Sequence, residues 1–266
     1  MKSIYSHASS RIATTLGLAS LLAISGNLHA QPISVPNHSF ESPNAPMVDP
    51  YATTLISSWQ KPAKPAYFGA IESAYGIFWE QTTGQFFAPG VYGNMNGIQA
   101  AFVMSWPSAG IFQDYDTQDY NDAAPTHEFN AKFEIGKSYT FTLGVYGKGY
   151  SGFPMTEGSM LGLSLYYRDG ANQVTVGTPT IITYSAALFP TVGALNLIDY
   201  SVSIPTVGAG DAWAGQNIGL KIESIYGVGD GYWDIDNVRL TAVPEPTTLG
   251  LLALGGVLAR RLRPRR

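Results

Sequence analysis

The central part of this sequence predicts an all-β fold, a sandwich or a barrel, from three observations. Short runs rich in Val, Ile, Phe and Tyr alternate with Gly, Pro, Asn, Ser and Thr, as in chains of short strands joined by turns. Residues 138–146 alternate with period two, which places Tyr139, Phe141, Leu143 and Val145 on one face of a strand. The body between two terminal targeting segments has about 212 residues, a length that suits a single β domain.

The same pattern predicts the other strands of this body. Turn signals support it, since Gly136-Lys137 precedes the strand at 138–146 and Asp230-Gly231 precedes the last strand. The further strands are expected at 33–35, 55–59, 97–104, 109–113, 160–167, 173–176, 180–184, 197–204, 217–224 and 232–240.

The first 30 residues are predicted to be a secretory signal peptide with a helical apolar centre. Lys2 and Arg11 form a positive region, residues 12–24 are apolar, and Leu28-His29-Ala30 is a plausible cleavage site for signal peptidase. The mature body then spans residues 31–242. The chain has no cysteine, which excludes disulfides, zinc–thiolate sites and cysteine nucleophiles, so a secreted body must rely on the size of its core.

Residues 243–266 have the layout of a second targeting segment. Pro244, Glu245 and Pro246 form a turn that neither a helix nor a central strand can continue. The apolar residues 247–259 reach about 20 Å as a short hydrophobic helix, less than the roughly 30 Å of a bilayer core. Five arginines follow. They are expected to stay on the cytoplasmic side of the inner membrane, where their stems can lengthen a short span.

This tail resembles the PEP-CTERM sorting signal. The matching features are Pro244-Glu245-Pro246, the glycine-containing apolar run, and a basic end with Arg260, Arg261 and Arg263. The resemblance implies recognition by an exosortase in a Gram-negative bacterium that makes exopolysaccharide, and release to the cell surface or the extracellular matrix. An ordinary C-terminal membrane anchor is the alternative, against which the short span counts.

Charge narrows the choice of partners for the body. Residues 31–242 contain eight Lys and Arg against 18 Asp and Glu, for a net charge of −10. Because such a surface repels phosphate backbones, no nucleic-acid partner is expected, and metal cations and neutral sugars suit it better.

Both ends of the body resemble jelly-roll carbohydrate-binding modules. The opening Asn37-His38-Ser39-Phe40-Glu41 is similar to their N-x-x-F-E motif, and Ile235-Asp236-Asn237-Val238 to their closing I-D-N-V strand. Trp59, Gln113 and residues 136–146 match weaker positions of the pattern, although Ser58 stands where a glycine is usual. The resemblance implies a two-sheet jelly-roll sandwich whose first and last strands lie together.

In that family a carboxylate from each end can bind a structural calcium, which here implies Glu41 and Asp236 as ligands. Calcium takes six to eight hard oxygens, and two carboxylates brought together repel unless a cation lies between them. The alternative is a solvated Glu41 and an Asp236 that accepts hydrogen bonds from turn amides. The four aspartates of residues 114–122 form an acidic loop that is more typical of a solvated surface than of a calcium site.

These observations predict a non-catalytic exported protein associated with extracellular polysaccharide. The aromatic residues Trp79, Tyr92, Trp106 and Tyr146 could stack on sugars or fill the core. No nucleophile elbow, P-loop or dinucleotide motif is present. A glycan-active hydrolase or lyase remains the alternative and would need two carboxylates, or a carboxylate and a tyrosine, in one groove. A purely structural adhesion or coat component is also compatible.

Overall fold

The computed structural model describes residues 29–45, 52–53, 55–62, 75–79, 92–115, 129–149, 155–190, 195–228 and 231–245. The described part of the chain is all β and forms a two-sheet jelly-roll sandwich, which confirms the predicted fold class. Within it, no helix has the length and hydropathy of a membrane span. The predicted signal helix and the predicted apolar helix of the tail both lie outside the described residues.

Eleven strands make up the described structure. They are β1 (Gln31–Ile33), β2 (Ala52–Thr53), β3 (Tyr75–Trp79), β4 (Gln99–Met104), β5 (Gly110–Gln113), β6 (Lys137–Gly149), β7 (Met160–Asp169), β8 (Asn172–Thr183), β9 (Ile198–Ile204), β10 (Gly219–Tyr226) and β11 (Gly231–Pro244).

The strands form one large and one small sheet. The large sheet has the order β2-β3-β4-β11-β6-β9, with β1 paired to β11, and the small sheet has the order β5-β10-β7-β8. β11 therefore lies in the middle of the large sheet and carries the first strand of the chain beside it. The last strand of the chain is therefore hydrogen-bonded to its first strand.

The core lies between the two sheets. On β6, Tyr139, Phe141, Leu143 and Val145 are all buried, as the period-two pattern predicted. They pack with buried side chains of the small sheet in one hydrophobic cluster. Burying side chains of this size contributes about 1.5–3 kcal/mol each, which a domain without disulfides needs.

The alternation of inward and outward side chains along β11 shifts by one residue, and this shift decides which side chains face outward. Trp233 and Ile235 are buried in the core, but after them the core positions are Val238 and Leu240, so the alternation shifts by one residue. Asn237 lies at the shift with φ +58°, the left-handed conformation that a β-bulge can require. The acidic residues before the bulge thus lie on the face opposite the core, here called the outer face.

Several strand predictions differ from the structure. The strand predicted at 33–35 is instead β1 at Gln31–Ile33, and β11 continues to Pro244, beyond the predicted end at residue 240. Residues 173–176 and 180–184, predicted as two strands, belong largely to the single strand β8, whose register shifts against β7 near Gly177 at φ +71°. Residues 55–59 form a turn instead of a strand, because Ser58 has φ +66°. β6 continues through Gly149, beyond the predicted end at residue 146.

Candidate functional site

The opening motif folds as a compact turn around the side chain of Asn37. Its amide donates to the carbonyl oxygens of Ser42 at 2.7 Å and Ser57 at 2.8 Å, and its oxygen accepts from the Ser42 amide at 3.1 Å. The indole of Trp59 donates to the Asn37 carbonyl at 3.1 Å and packs on Phe40 with ring centroids 5.3 Å apart. The motif residues therefore hold the N-terminal segment against the 57–59 turn.

The side chain of Gln113 joins the opening motif to the 57–59 turn, which explains why a glutamine at this position matches the carbohydrate-binding-module pattern. Its amide donates to the carbonyls of Pro36 at 3.0 Å and Ser58 at 2.7 Å. The positive φ of Ser58 also explains why a glycine is usual at that position, since glycine adopts this conformation without strain.

Residues 92–99, called the linking segment here, join the N-terminal turn to β11. The backbone N–H of Gly93 donates to the Leu195 carbonyl at 2.9 Å, and the Asn94 side chain exchanges two 2.8 Å bonds with the Leu197 backbone. The Asn237 side chain donates to the Asn94 carbonyl. These bonds hold the segment beside the outer face.

Glu41 binds the end of the linking segment. Its Oε1 accepts the backbone N–H groups of Ile98 at 2.9 Å and Gln99 at 2.8 Å. Gly97 makes room for this contact, because a Cβ there would lie 2.3 Å from Glu41 Oε1, and its φ of +105° also favours glycine.

Asp236 binds the same segment from β11. Its Oδ2 accepts the Asn96 N–H at 2.7 Å, while its buried Oδ1 has no hydrogen-bond partner in the described chain. Burial raises the pKa of Asp236 to about 7, and the nearby Glu41 carboxylate adds to the rise, against the lowering effect of the Asn96 and Asn237 amides and of Arg239. The two predicted calcium ligands are thus brought together by four consecutive residues.

This arrangement fits a cation in part. Two carboxylates that disfavour each other's charge, and a buried carboxylate oxygen without a donor, are features that a divalent ion would relieve. Among the described residues, however, no group of three or more His, Asp or Glu side chains could hold a metal. Within the described part of the chain, further ligands would have to be carbonyl oxygens, alongside water.

A second polar group lies two residues earlier on β11, on the same outer face. Asp234 is fully buried, and its Oδ2 accepts the Tyr92 hydroxyl and lies 3.3 Å from the ammonium of Lys148 on β6. Its buried Oδ1 has no hydrogen-bond partner in the part of the chain described here. Burial raises the pKa of Asp234, and the Lys148 charge and the Tyr92 hydrogen bond oppose that rise. We call these three residues the Asp234 cluster.

Aromatic rings surround the Asp234 cluster. The Lys148 ammonium lies 5.7 Å from the Tyr92 ring centroid and 5.5 Å from that of Tyr232, distances typical of cation–π contacts. Tyr92 packs on Tyr146 at 5.0 Å, and Tyr232 on Phe102 at 6.1 Å. Phe102 is only half-buried, so the cluster lies close to an apolar part of the surface.

Asp114, by contrast, has a structural role. It is buried, and its carboxylate accepts the Tyr166 hydroxyl at 2.5 Å, the Arg168 Nε at 2.8 Å and the Gln60 amide at 3.0 Å. The start of the predicted acidic loop is therefore not solvated; residues 116–122 lie outside the described residues.

The other predicted site residues are only partly described. Pro244 ends β11 and Glu245 follows it as an exposed residue. Pro246, Arg260, Arg261 and Arg263 lie outside the described residues, as does the side chain of Trp79.

Among the aromatic candidates, Tyr92 is a buried member of the Asp234 cluster, Tyr146 is buried beside it, and Trp106 packs partly buried against the core. Sequence reasoning missed Asp234 and Lys148. The sequence offered one signal for Asp234: it lies in an apolar strand, two residues before Asp236 and therefore on the same face of that strand.

Comparison with family models and with curated proteins gave no match. Among solved structures, the chain is similar to the Stig cyclase Fisc from Fischerella sp. TAU, with 22% identity over 82% of this chain and 100% of that one, and a TM-score of 0.54. Weaker likenesses are the CBM22-1 xylan-binding domain of Paenibacillus barcinonensis Xyn10C (12% identity, 82% and 96% coverage, TM-score 0.37) and an adhesin domain of Porphyromonas gingivalis Lys-gingipain (11%, 82% and 99%, 0.39). At these identities the likeness to the cyclase concerns the fold alone.

Proposed function

We propose that this chain is a non-catalytic exported protein whose jelly-roll body associates with extracellular polysaccharide. The observation that carries the proposal is the outer face of the large sheet, where the half-buried ring of Phe102 on β4 packs on the buried Tyr232 of β11, close to the Asp234 cluster. An aromatic ring that reaches the surface beside polar groups is a feature that recognition of a neutral glycan uses.

Binding is tested directly with the mature body. We expect it to be retained by at least one insoluble or immobilised extracellular polysaccharide in a pull-down series, and the Phe102→Ala variant to be retained less. A body that is retained by none of the polymers, including those of its own producer, would overturn the proposal.

Export and sorting belong to the same proposal. The support is the order of Pro244-Glu245-Pro246, an apolar run and a basic end, directly after the last strand. The intact mass of the secreted protein tests it, since processing by signal peptidase and exosortase should remove both targeting segments. A secreted mass that retains residues 247–266 would contradict the sorting role.

We also propose that Glu41 and Asp236 hold a structural calcium ion that ties the N-terminal turn to β11. The support is the buried Asp236 Oδ1 without a donor and the two carboxylates held together by the linking segment. A bound divalent cation would supply positive charge between them. A thermal midpoint that is the same with calcium and with chelator would argue against this site.

A glycan-active enzyme is the second candidate, and one observation favours it. The hydrogen-bonded pair of Tyr92 and Asp234 is the carboxylate–tyrosine combination that such an enzyme would need. Release of reducing ends from a polysaccharide, or formation of unsaturated products, by the wild type and not by Tyr92→Phe would support this alternative over simple binding.

A further inference from the structure

The last strand of the fold includes the first residues of the predicted sorting segment. β11 runs from Gly231 to Pro244, so Val243 and Pro244 belong to the large sheet. The next residue, Glu245, is exposed and lies outside the strand. The sorting motif therefore starts inside the folded sheet, and no linker separates its first proline from the strand.

The residues before Pro244 are held by the sheet and by the core. β11 is an inner strand that lies between β4 and β6, and β1 pairs with it as well. Close to its end, the side chains of Val238, Leu240 and Ala242 are buried in the core. Proteolytic enzymes cut exposed segments whose backbone is free, or chains that have opened locally, in preference to such strands. The peptide bonds up to Val243 are thus protected while β11 is folded.

The apolar run sets a limit on the other side of the motif. Residues 247–259 carry no charge, and in the proposed membrane-bound precursor they lie in the bilayer, whose hydrocarbon core holds no water. Glu245 and Pro246 alone stand between the strand and this run, which is about 7 Å of extended chain. The accessible part of the precursor at this end is therefore very short.

We propose that the folded end of β11 fixes the processing point, so that the cut falls after Pro244, Glu245 or Pro246 and the mature body keeps Val243 and Pro244. The inference rests on the proposed sorting role and adds the position of the cut. It also explains why the body can be released without loss of the buried residues at the end of its last strand.

The reaction breaks the C–N bond of one of these three peptide bonds. The carbonyl carbon takes the oxygen of water, or the nitrogen of an acceptor amine if the enzyme transfers the body. The released tail keeps the peptide nitrogen as its new amino terminus and takes up the proton that the water or the amine gives up.

The experiment determines the last residue of the exported protein. The full chain is produced in the bacterium that exports it, and its C-terminal peptide is sequenced by tandem mass spectrometry, so that an attached acceptor does not obscure the last residue. We expect the wild-type peptides to end at Pro244, Glu245 or Pro246.

Two variants remove the protection and leave the motif intact. An insertion of Gly-Ser-Gly-Ser between Ala242 and Val243 moves the motif away from the strand, and Leu240→Ala leaves a cavity near the end of β11. Both should add C-terminal ends upstream of Pro244, because bonds there become accessible. Thr241→Ala is the matched control, since Thr241 is partly exposed on the opposite face of the strand, and it should leave the ends unchanged. The insertion serves if Leu240→Ala does not fold.

The outcomes separate the two proposals. An exported wild type that keeps residues 247–266 overturns the sorting role and this inference together. A wild type that is cut within residues 231–243, or within the apolar run, overturns this inference and leaves the sorting role standing. Variants that show only the wild-type ends would mean that the enzyme selects the bond without the strand, which also overturns the inference.

Discussion

Replacing Asp236 with asparagine should remove a pH dependence from the stability of this protein. Asparagine keeps an oxygen that can accept the Asn96 N–H but cannot ionise. In the wild type the folded-state pKa of Asp236 is raised from 3.8 to about 7, chiefly by burial. The folded state therefore holds a proton that the unfolded chain releases at a lower pH.

The sign and size of the effect follow from this shift. The contribution of Asp236 to stability is fully present below pH 4 and is lost as pH rises to 7, because folding at higher pH must bury a charge. Each pKa unit corresponds to about 1.4 kcal/mol, so the difference between 3.8 and about 7 amounts to about 4 kcal/mol. Between pH 5 and 7 we expect a loss of about 2 kcal/mol, with the remainder lost on either side of that range.

The assay is urea unfolding followed by tryptophan fluorescence at pH 5, 6, 7 and 8, in chelator and again in calcium. In chelator, the wild-type free energy of unfolding should fall between pH 5 and 7 relative to that of Asp236→Asn. Calcium should stabilise the wild type most at pH 8, since it favours the ionised carboxylates, and Glu41→Gln should reduce that gain. Equal pH profiles of wild type and Asp236→Asn in chelator would refute the assignment of a raised pKa.

Three further substitutions test the packing around the site by thermal or urea unfolding. Ser58→Gly should stabilise the protein by about 0.5–1 kcal/mol because it relieves the positive φ, whereas Ser58→Ala should not; equal effects would contradict the strain. Gly97→Ala should cost about 2 kcal/mol or more, since its Cβ would meet the Glu41 carboxylate at 2.3 Å and its φ is +105°, and a neutral result would contradict the close approach. Lys148→Met should destabilise the fold by about 3–5 kcal/mol at pH 8, and less as the pH falls, because burial raises the pKa of Asp234 and a bound proton removes its charge; a loss that does not change with pH would contradict the ion pair.

Much of the fold could be predicted because successive side chains of a β-strand point to opposite faces, so a half-buried strand shows an alternating apolar pattern in the sequence. The strand at residues 138–146 was predicted from four alternating apolar residues, and β6 buries all of them. Two of the errors occur where one residue has an unusual backbone conformation. The turn at Ser58 and the register shift near Gly177 both involve positive φ values, which alternation alone does not reveal.

Glu41 and Asp236 show which residues of the candidate site could be predicted from sequence motifs. Glu41 and Asp236 lie in the two terminal motifs, and the linking segment binds both of them. No pattern indicated the contacts of that segment with Glu41 and Asp236, because they are made by backbone N–H groups, which every residue except proline has. The structure explains the identity of Gly97 by the space it leaves for Glu41, and those of Tyr92 and Asn94 by the hydrogen bonds of their side chains.

The Asp234 cluster could not be predicted because its members are far apart in the chain. Tyr92 and Asp234 are separated by 142 residues and meet only because β11 is placed between β4 and β6. The bulge at Asn237 matters as well, since it allows Asp234 and Asp236 to face outward while Val238 and Leu240 still return to the core. Two carboxylates two residues apart on a central strand therefore belong to one outer face, where one is bound by the Tyr92 side chain and the other by the Asn96 backbone. A change in the linking segment should consequently affect both groups, although their partners differ.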